Sequence, residues 1–361
     1  MRALNVLSFF DGISAGQQAL KNLGIKVNQY IAIEIQEESK KVTRKNFPNT
    51  VFWGNITQLV DDQNFYKSLP KIDLVFAGSP CQGLSRAGLK KGLKDPRSAL
   101  FHAFTFIFNK IKEDQGNPHI PFFFENVAML GREGEESARI ISKDLGVGYK
   151  RFDAIDYSPC KRDRFYWTNI NIPMTIISKY KGNKKTYKDV MSKTISRSHI
   201  VPSNMNNVMA TYKYHKQNLS PNALLKQDGY LYNKVNAHGL PTNNRQAFRV
   251  YRIDSKMVAM TAESGGWGAK GGLYLRKKPR NIDLSYSWGG GIQSQKDRVF
   301  MPYKETIVVI PSVETCLKAM GFPENYYDGV NMTEGNKRKH IGNSWNLFVV
   351  ELIFRSLFFY R

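Results

Sequence analysis

Short apolar runs alternate with helix-spaced apolar patterns through residues 1–172, and this alternation constrains the fold more than any other feature of the chain. Strands are predicted at residues 4–10, 30–35, 73–77 and 122–124. Helical spacing falls between them, for example over residues 15–23, where Gly24 supplies a stop signal. Strands that alternate with helices predict a parallel, doubly wound α/β sheet, whose ligands bind at the carboxyl ends of the strands.

An excess of positive charge marks the chain and is concentrated in its middle. The 361 residues include 53 Lys and Arg against 30 Asp and Glu, a net charge of +23. Most of this excess lies in the region 174–310, which is polar, rich in Gly and Asn, and dotted with aromatic residues. Such a charge predicts a polyanionic partner, above all a nucleic acid, rather than the small substrate of a metabolic enzyme.

The sequence contains no pattern typical of a membrane protein, a disulfide framework or a metal site. No window reaches the roughly 18 to 20 continuous apolar residues needed to cross a bilayer, and the first residues do not form a signal-peptide pattern. The three cysteines, Cys81, Cys160 and Cys316, are far apart and form no C-x-x-C pair. We therefore expect a cytoplasmic protein that binds no metal.

The turn after the first predicted strand contains glycines, and a carboxylate follows at the end of the second strand. Gly12 would let the backbone approach a ligand, and Gly16 would let the next helix pack closely on the sheet. Glu34 stands where a carboxylate can accept hydrogen bonds from ribose hydroxyls. The pattern departs from G-x-G-x-x-G, so a cofactor loop and ordinary turn glycines are equal alternatives at this point.

Two further strand ends present a cysteine and a carboxylate. Cys81 follows Pro80 and precedes a stretch rich in Gly and Lys, so it is either an inert buried thiol or a reactive thiolate in a positive environment. Glu125 follows a run of three phenylalanines, and buried glutamates are rare unless they are paired or functional. A helix cap is the alternative role for Glu125.

Arg162 and Arg164 alternate around Asp163 and lead into an aromatic strand. Side chains at alternate positions of a strand share a face, so both guanidinium groups could point into one cleft. The alternative is a surface ion pair between one of the arginines and Asp163.

Taken together and in this order, these motifs resemble those of the DNA (cytosine-5)-methyltransferase family. Residues 249–275 are also similar to the end of the bacterial target-recognition region, whereas residues 153–170 and Trp345 are closer to the vertebrate de novo methyltransferases. This mixture is typical of a prokaryotic or viral enzyme. The shared elements are the loop with Phe10, Gly12 and Gly16, Pro80-Cys81-Gln82, Glu125-Asn126-Val127, Arg162 and Arg164, Gly321-Phe322-Pro323 and Gly342-Asn343-Ser344.

The resemblance implies a Rossmann-like, S-adenosylmethionine-dependent methyltransferase sheet together with a smaller, basic target-recognition domain. Residues 1–173 and 311–361 would form the catalytic and cofactor-binding domain, and residues 174–310 the domain that binds double-stranded DNA. Residues 276–309 look additional to the compact bacterial pattern. The resemblance further implies the cytoplasm of a prokaryotic or phage-infected cell, favours a monomer, and admits a cognate restriction endonuclease as partner.

The family takes its methyl group from S-adenosylmethionine and releases S-adenosylhomocysteine. Asn55 stands where the family often has an aspartate that faces the adenine amino group, and an asparagine oxygen can still accept that hydrogen bond. The resemblance assigns cofactor contacts to Phe10, Asp11, Gly12, Ser14, Gly16, Glu34, Asn55, Ile56, Pro80, Asn343 and Ser344.

The resemblance also assigns the chemistry to four residues, acting on a cytosine that is flipped out of the duplex. Cys81 would add to carbon 6 of the base and so activate carbon 5, while Glu125 would hold the N3 and amino edge. Arg164 would bind the base carbonyl, supported by Arg162. Cys160 stands where many bacterial members have glutamine, and Cys316 is expected to fill the core. DNA contacts are implied for Gln82, Ser85, Arg97, Arg249, Thr261 and Trp267.

Three alternative functions stay open on the sequence. A branch of the family with the same motifs methylates cytosine in tRNA. A non-catalytic DNA-binding accessory protein could keep the fold, but it would be expected to lose Cys81 or Glu125, and both are present. A nicotinamide-dependent oxidoreductase would share the fold but leaves the cysteine, the arginine pair and the charge unexplained.

Overall fold

The sheet predicted for the N-terminal region is present, with seven strands. A computed structural model describes residues 2–79, 99–201, 204–205, 208–214, 224–233, 249–261, 271–279 and 305–360. Six of the residues singled out above, Pro80, Cys81, Gln82, Ser85, Arg97 and Trp267, lie outside the described residues. The strands of the first sheet are β1 (Leu4–Phe9), β2 (Val27–Ile33), β3 (Val51–Trp53), β4 (Leu74–Ala77), β5 (Phe122–Val127), β6 (Tyr149–Asp153) and β7 (Asp163–Thr168).

These strands are ordered β3-β2-β1-β4-β5-β7-β6. The first five run parallel, whereas β7 is antiparallel to both β5 and β6. Crossing from β1 to β4 reverses the direction in which the chain builds the sheet, and this is the switch point at which open α/β sheets bind ligands. The predicted parallel sheet is therefore confirmed, with one reversed strand, β7, next to its edge.

Helices cover both faces of the first sheet, as the doubly wound prediction requires. Alternate residues of β4 enter different cores: Leu74 and Phe76 face one, and Val75 and Ala77 face the other. Burial on both faces explains why the strand is an unbroken apolar run. The helices of the described residues are α1 (Ala15–Asn22), α2 (Glu37–Asn46), α3 (Ile56–Leu59), α4 (Gln63–Ser68), α5 (Ala99–Asp114), α6 (Arg132–Leu145), α7 (Met174–Tyr180), α8 (Tyr187–Val190), α9 (Val313–Met320), α10 (Glu334–Asn343) and α11 (Leu347–Phe358).

A second sheet occupies the basic region. Its strands are β8 (Asn204–Met205), β9 (Val208–Tyr214), β10 (Gln227–Asn233), β11 (Arg249–Arg252), β12 (Leu273–Lys277) and β13 (Thr306–Val309). They are ordered β13-β12-β11-β10-β9-β8, and of these neighbours only β11 and β12 run parallel to each other. We call the first sheet with its helices the first lobe, and the second sheet with residues 224–226 and 253–261 the second lobe.

The C-terminal helices return to the first lobe. Phe354 of α11 lies 5.0 Å from the ring of Phe76 in β4. At the next residue of α11, the Arg355 guanidinium carbon lies 5.2 Å from the ring centroid of Tyr180 in α7. The domain boundary predicted at residue 174 stays a prediction. Helix α7 begins at this residue and contacts α11, a helix of the first lobe. No helix in the described part of the chain is long and apolar enough to span a bilayer.

Gly16 allows α1 to lie directly on the sheet. A Cβ added there would lie 2.6 Å from Cδ2 of Phe76, closer than side chains approach one another. We expect Gly16→Ala to lower the free energy of unfolding by about 1–3 kcal/mol, because overpacking outweighs the better helix propensity of alanine. Urea denaturation measures this change.

Gly335 provides the matched control, because it is likewise the second residue of its helix, α10. A Cβ added at Gly335 meets no heavy atom within 4 Å. Gly335→Ala should therefore leave stability unchanged or raise it by up to about 1 kcal/mol. Equal effects of the two substitutions would contradict the close packing of α1.

Candidate active site

The turn after β1 has an unusual backbone, which lies at the carboxyl end of that strand. Phe10, Gly12 and Ser14 all have left-handed φ angles, of 56°, 59° and 61°. The positive φ of Phe10 ends β1 one residue before the predicted limit. Two of the three residues are not glycine, so the surrounding hydrogen bonds must hold this strained turn in place.

Glu34 supplies part of that support. It is buried just beyond β2, where Oε2 accepts the N–H of Gly12 at 2.8 Å and Oε1 accepts the N–H of Gln36 at 2.8 Å. The carboxylate thus joins the ends of β1 and β2. Each carboxylate oxygen has a second acceptor position, so these bonds leave capacity for ligand hydroxyls.

Asp11 is the main internal support of the turn. Its side chain is buried, with Oδ1 accepting the Tyr30 hydroxyl at 2.7 Å and Oδ2 accepting the Ser14 hydroxyl. Burial raises the pKa of Asp11 to about 6, against the hydrogen bonds from Ser14 and Tyr30, which lower it. Both oxygens are engaged within the protein, which suits a residue that shapes the turn.

This raised pKa predicts a pH-dependent cost. Below the unfolded-state pKa of 3.8, Asp11 is neutral in both states and its burial carries no charge penalty. As the pH rises through the folded-state pKa of about 6, the buried carboxyl must ionise, and the free energy of unfolding falls. We expect the free energy of unfolding of wild type, relative to Asp11→Asn, to fall by about 2–3 kcal/mol between pH 4 and pH 7. Urea denaturation at a series of pH values measures the difference. A difference that stays flat would show that Asp11 is not buried as an ionised group.

Asn55 and Ile56 begin α3 at the end of β3. Oδ1 of Asn55 accepts the N–H and the hydroxyl of Thr57, at 3.1 and 3.0 Å, so this oxygen caps the helix. Ile56 is buried in the core. A contact between Asn55 and an adenine amino group stays a prediction, and the helix cap is a competing role for the same oxygen.

Sequence reasoning missed Ile35, which follows Glu34. Its side chain is 65% exposed, the second-highest exposure among the large apolar side chains of the described residues. An apolar side chain displayed beside a strand-end carboxylate suits the flat face of a base. The available signal is a β-branched apolar residue directly after Glu34, where the predicted strand 30–35 extends two residues beyond the end of β2 at Ile33.

Glu125 and Arg164 lie together across neighbouring strands. Nε of Arg164 in β7 is 2.8 Å from Oε1 of Glu125 in β5. The N–H is not aligned for a hydrogen bond, so the buried Oε1 has no hydrogen-bond partner. The charge of Glu125 is therefore balanced by Arg164, while its Oε1 can still accept a hydrogen bond from a ligand. The helix-cap alternative is wrong, because Glu125 lies within β5 and α6 begins only at Arg132.

Arg162 lies behind this pair and is almost fully buried. Its Nη1 donates to the carbonyl of Gly342 at 2.9 Å, near the carboxyl end of α10, while its Nε has no partner. Burial and the neighbouring Arg164 charge lower the pKa of Arg162 to about 10. The surface ion pair with Asp163 is also wrong, since that carboxylate binds Arg151 through bonds of 2.9 and 2.6 Å.

The end of β4, which leads toward Cys81, is joined to the end of β5. Nδ2 of Asn126 donates to the carbonyl and the hydroxyl of Ser79, at 3.3 and 3.2 Å. Gly78 is required beside them, because an added Cβ would lie 2.6 Å from Nε1 of Trp345. Ser79 and Glu125 are thus held at adjacent strand ends.

Asn343 and Ser344 reach the first lobe from the C-terminal region. Asn343 is the last residue of α10, and the hydroxyl of Ser344 donates to the carbonyl of Ile341 at 2.8 Å. The preceding Gly342 connects this end to the second lobe, because an added Cβ there would lie 3.4 Å from the carbonyl carbon of Thr261. Arg249 lies at the start of β11, in the second sheet. DNA contacts of Arg249 and Thr261 stay predictions.

The two described cysteines are structural. Cys160 and Cys316 are completely buried, and burial raises the pKa of each thiol to about 12. The expected role of Cys316 as core filler is confirmed. The backbone of Cys160 forms an isolated parallel β-bridge with Met257 of the second lobe, so Cys160 belongs to the junction between the lobes. No group of side chains in the described ranges could hold a metal ion.

The strand order, the helices on both faces and the polar groups at the carboxyl ends define an α/β methyltransferase fold. The Entamoeba histolytica methyltransferase EhMeth shares it with a TM-score of 0.67 and 18% identity, over 99% of this chain and 98% of that one. The S. pombe Dnmt2 methyltransferase matches with a TM-score of 0.63 and 16% identity, over 99% and 98%. At this level of identity the likeness concerns the fold alone.

Residues 4–358 match the C-5 cytosine-specific DNA methylase family, and the chain belongs to that family. It is 27% identical to the orphan methyltransferase M.Rho11sI of Bacillus phage rho11s, in an alignment that covers 79% of this chain and 63% of the phage protein. It is 28% identical over 159 residues to the type II methyltransferase M.NgoBV of Neisseria gonorrhoeae, 44% of this chain and 35% of that protein. The matches thus span less than two thirds of these relatives' length.

Proposed function

We propose that this protein is a DNA (cytosine-5)-methyltransferase, which transfers a methyl group to carbon 5 of a flipped-out cytosine in double-stranded DNA. The observation that carries the proposal is the Glu125–Arg164 pair at the end of β5, directly beside the strand end that leads to Cys81. A carboxylate and a guanidinium side by side match the amino, N3 and carbonyl edge of cytosine.

In this mechanism Cys81 adds to carbon 6 as a thiolate, and the developing negative charge spreads over the ring toward N3 and the carbonyl oxygen. The negative charge of Glu125 favours protonation at N3, after which the carboxylate accepts hydrogen bonds from N3–H and from the amino group. It has the capacity to do so, because Oε1 makes no hydrogen bond within the described residues. Arg164 stabilises the carbonyl oxygen. Arg162, two residues before Arg164, anchors this part of the chain by donating to the carbonyl of Gly342. Once carbon 5 has taken the methyl group, a base removes the carbon-5 proton, and elimination breaks the bond between carbon 6 and the Cys81 sulfur and frees the thiolate.

The turn after β1 and the neighbouring strand ends suit S-adenosylmethionine. When bound, this cofactor supplies an electrophilic methyl group. Gly12 presents open space at its Cα, Glu34 retains acceptor capacity for the ribose hydroxyls, and the exposed Ile35 offers an apolar surface to the adenine. Phe10, Ser14, Asn343 and Ser344 complete the set of residues that would surround it.

Double-stranded DNA is the proposed substrate because of the charge and its placement. The net charge of +23 lies largely in residues 174–310, and phosphate contacts by Lys and Arg supply affinity independent of sequence. A role in a restriction–modification system, with a cognate endonuclease as partner, follows from similarity to type II enzymes such as M.NgoBV. A monomer in the cytoplasm of a prokaryotic or phage-infected cell remains the expected state.

The deciding experiment is transfer of tritiated methyl groups from S-adenosylmethionine to unmethylated double-stranded DNA, with total RNA in parallel. We expect label on DNA alone, blocked by S-adenosylhomocysteine, and bisulfite sequencing should place it at cytosines in one sequence context. Label on RNA alone would replace this proposal with an RNA cytosine-5 methyltransferase. Binding of DNA without any transfer, by protein that binds the cofactor, would indicate a non-catalytic accessory protein.

A further inference from the structure

A buried lysine lies where the two lobes meet. Only 2% of Lys256 is exposed, although lysine is among the residues least often buried without a carboxylate partner. Its Nζ donates to the backbone carbonyl of Ser158 at 2.7 Å and to that of Asn183. Burial lowers the pKa of Lys256 to about 8, so holding a charged ammonium group at this position is unfavourable to folding.

The backbone around Lys256 is anchored in the second lobe. Its N–H donates to the carbonyl of Leu224 at 2.8 Å, and the hydroxyl of the preceding Ser255 accepts the N–H of Lys226 at 2.9 Å. The side chain therefore reaches from a fixed second-lobe segment into the turn that precedes β7.

That turn leads directly to the two site arginines. After Ser158, the chain pairs with the second lobe through Met257, whose N–H donates to Pro159 at 2.7 Å and whose carbonyl accepts the N–H of Lys161 at 2.8 Å. Arg162 follows at once, and Arg164 is two residues further on. A shift of Ser158 would therefore move Arg162 and Arg164, because only a few residues of hydrogen-bonded backbone separate them from it.

A second buried contact holds the same turn from the other side. Nδ2 of Asn346, at the start of α11, donates to the hydroxyl of Ser158 at 3.1 Å, and this hydroxyl also accepts the N–H of Cys160 at 3.1 Å. Ser158 and Asn346 are both completely buried. Within this junction Lys256 contributes two side-chain hydrogen bonds from the second lobe, to the carbonyls of Ser158 and Asn183.

We propose that Lys256 is a positioning residue, which fastens the turn at 158–161 to the second lobe and thereby sets Arg162 and Arg164 against Glu125. The effect on turnover rests on the function proposed above, whereas the effect on the turn itself does not. Lys256 touches no reacting group, so its substitution should change the rate of transfer rather than the binding of the cofactor.

The test replaces Lys256 by methionine, which keeps an unbranched stem and removes the donors. We expect hydrogen exchange of backbone amides in 158–164 to accelerate at least 10-fold, and kcat for DNA methylation to fall about 10- to 100-fold, as misplacement of a catalytic group does. The KM for S-adenosylmethionine should stay within about 2-fold of wild type. Lys256→Arg, which can still donate to both carbonyls, should restore part of the exchange protection and of kcat.

Lys110→Met is the matched control, because Lys110 lies in α5 of the first lobe, outside the basic region, and pairs with Asp114 at a partly exposed site. It should change neither exchange in 158–164 nor kcat. Unaltered exchange and kcat in Lys256→Met would overturn the proposal, and so would an equal loss of kcat and cofactor affinity. Should Lys256→Met not fold, Lys256→Gln retains one donor group and is judged by the same two measurements. If wild type transfers no methyl group, the exchange measurement alone decides.

Discussion

Glu125→Gln is expected to lower methyl transfer to DNA by about 10²- to 10⁴-fold, the range that a positioned acid–base group contributes. Glutamine keeps the size of the side chain but removes the negative charge that balances Arg164 at 2.8 Å. Without that charge, protonation of cytosine at N3 is no longer favoured, and Arg164 loses the group that orients it. Single-turnover transfer of tritiated methyl groups to DNA measures the loss.

The same variant should bind S-adenosylmethionine with unchanged affinity, because Glu125 lies at the end of β5, away from the turn after β1. Isothermal titration with the cofactor checks this. Glu136→Gln in α6 is the matched control, since the Glu136 side chain is 64% exposed and pairs only with Arg139 among the described residues. Full activity in Glu125→Gln, or equal losses in both variants, would remove Glu125 from the mechanism.

Cys81→Ala is expected to abolish methyl transfer to the limit of detection. The addition of a thiolate to carbon 6 is the step that activates carbon 5, and alanine offers no nucleophile. Two of the three cysteines cannot take this role, because Cys160 and Cys316 are buried and their thiol pKa values are raised to about 12. DNA with 5-fluorocytosine at the methylated position should trap a covalent complex of the wild type but none of Cys81→Ala.

Cys160→Ala and Cys316→Ala are the controls for this experiment. Each removes a buried sulfur and is expected to cost about 1–2 kcal/mol of stability, but each should still form the trapped complex. Trapping by Cys81→Ala, or its loss in one of these two variants alone, would move the nucleophile away from Cys81. Mass spectrometry of the trapped peptide identifies the linked residue directly.

The sheet could be predicted because its signals are local. Buried strands such as β4 appear as continuous apolar runs, and helical spacing between them implies parallel pairing. The reversed strand β7 could not be predicted in the same way. It follows β6 through a turn and one short 3-10 helix, Ala154–Asp156, and the direction of a strand depends on how the chain returns to the sheet.

The site was predicted residue by residue but not as an arrangement. Glu125 and Arg164 each stood out, yet their contact depends on β7 lying next to β5, which no local pattern specifies. Both side-chain oxygens of Asp11 are engaged with Tyr30 and Ser14, an internal role that no local pattern indicates, and its contact with the cofactor stays a prediction. Lys256 gave no signal, because a lysine becomes unusual only once its burial is known.

Trp345 has a consequence for how the protein is made. Its indole fills the space left by Gly16 and Gly78 and packs against Phe123 at 4.9 Å, so the first sheet has no complete core until the C-terminal region is added. At about 5–20 residues per second, a ribosome synthesises the chain between β5 and Trp345 in roughly 10 to 50 s. During that time the nascent first lobe exposes an apolar face, which makes it a client for chaperones. Joining the last helices to the N-terminus by circular permutation should shorten this interval.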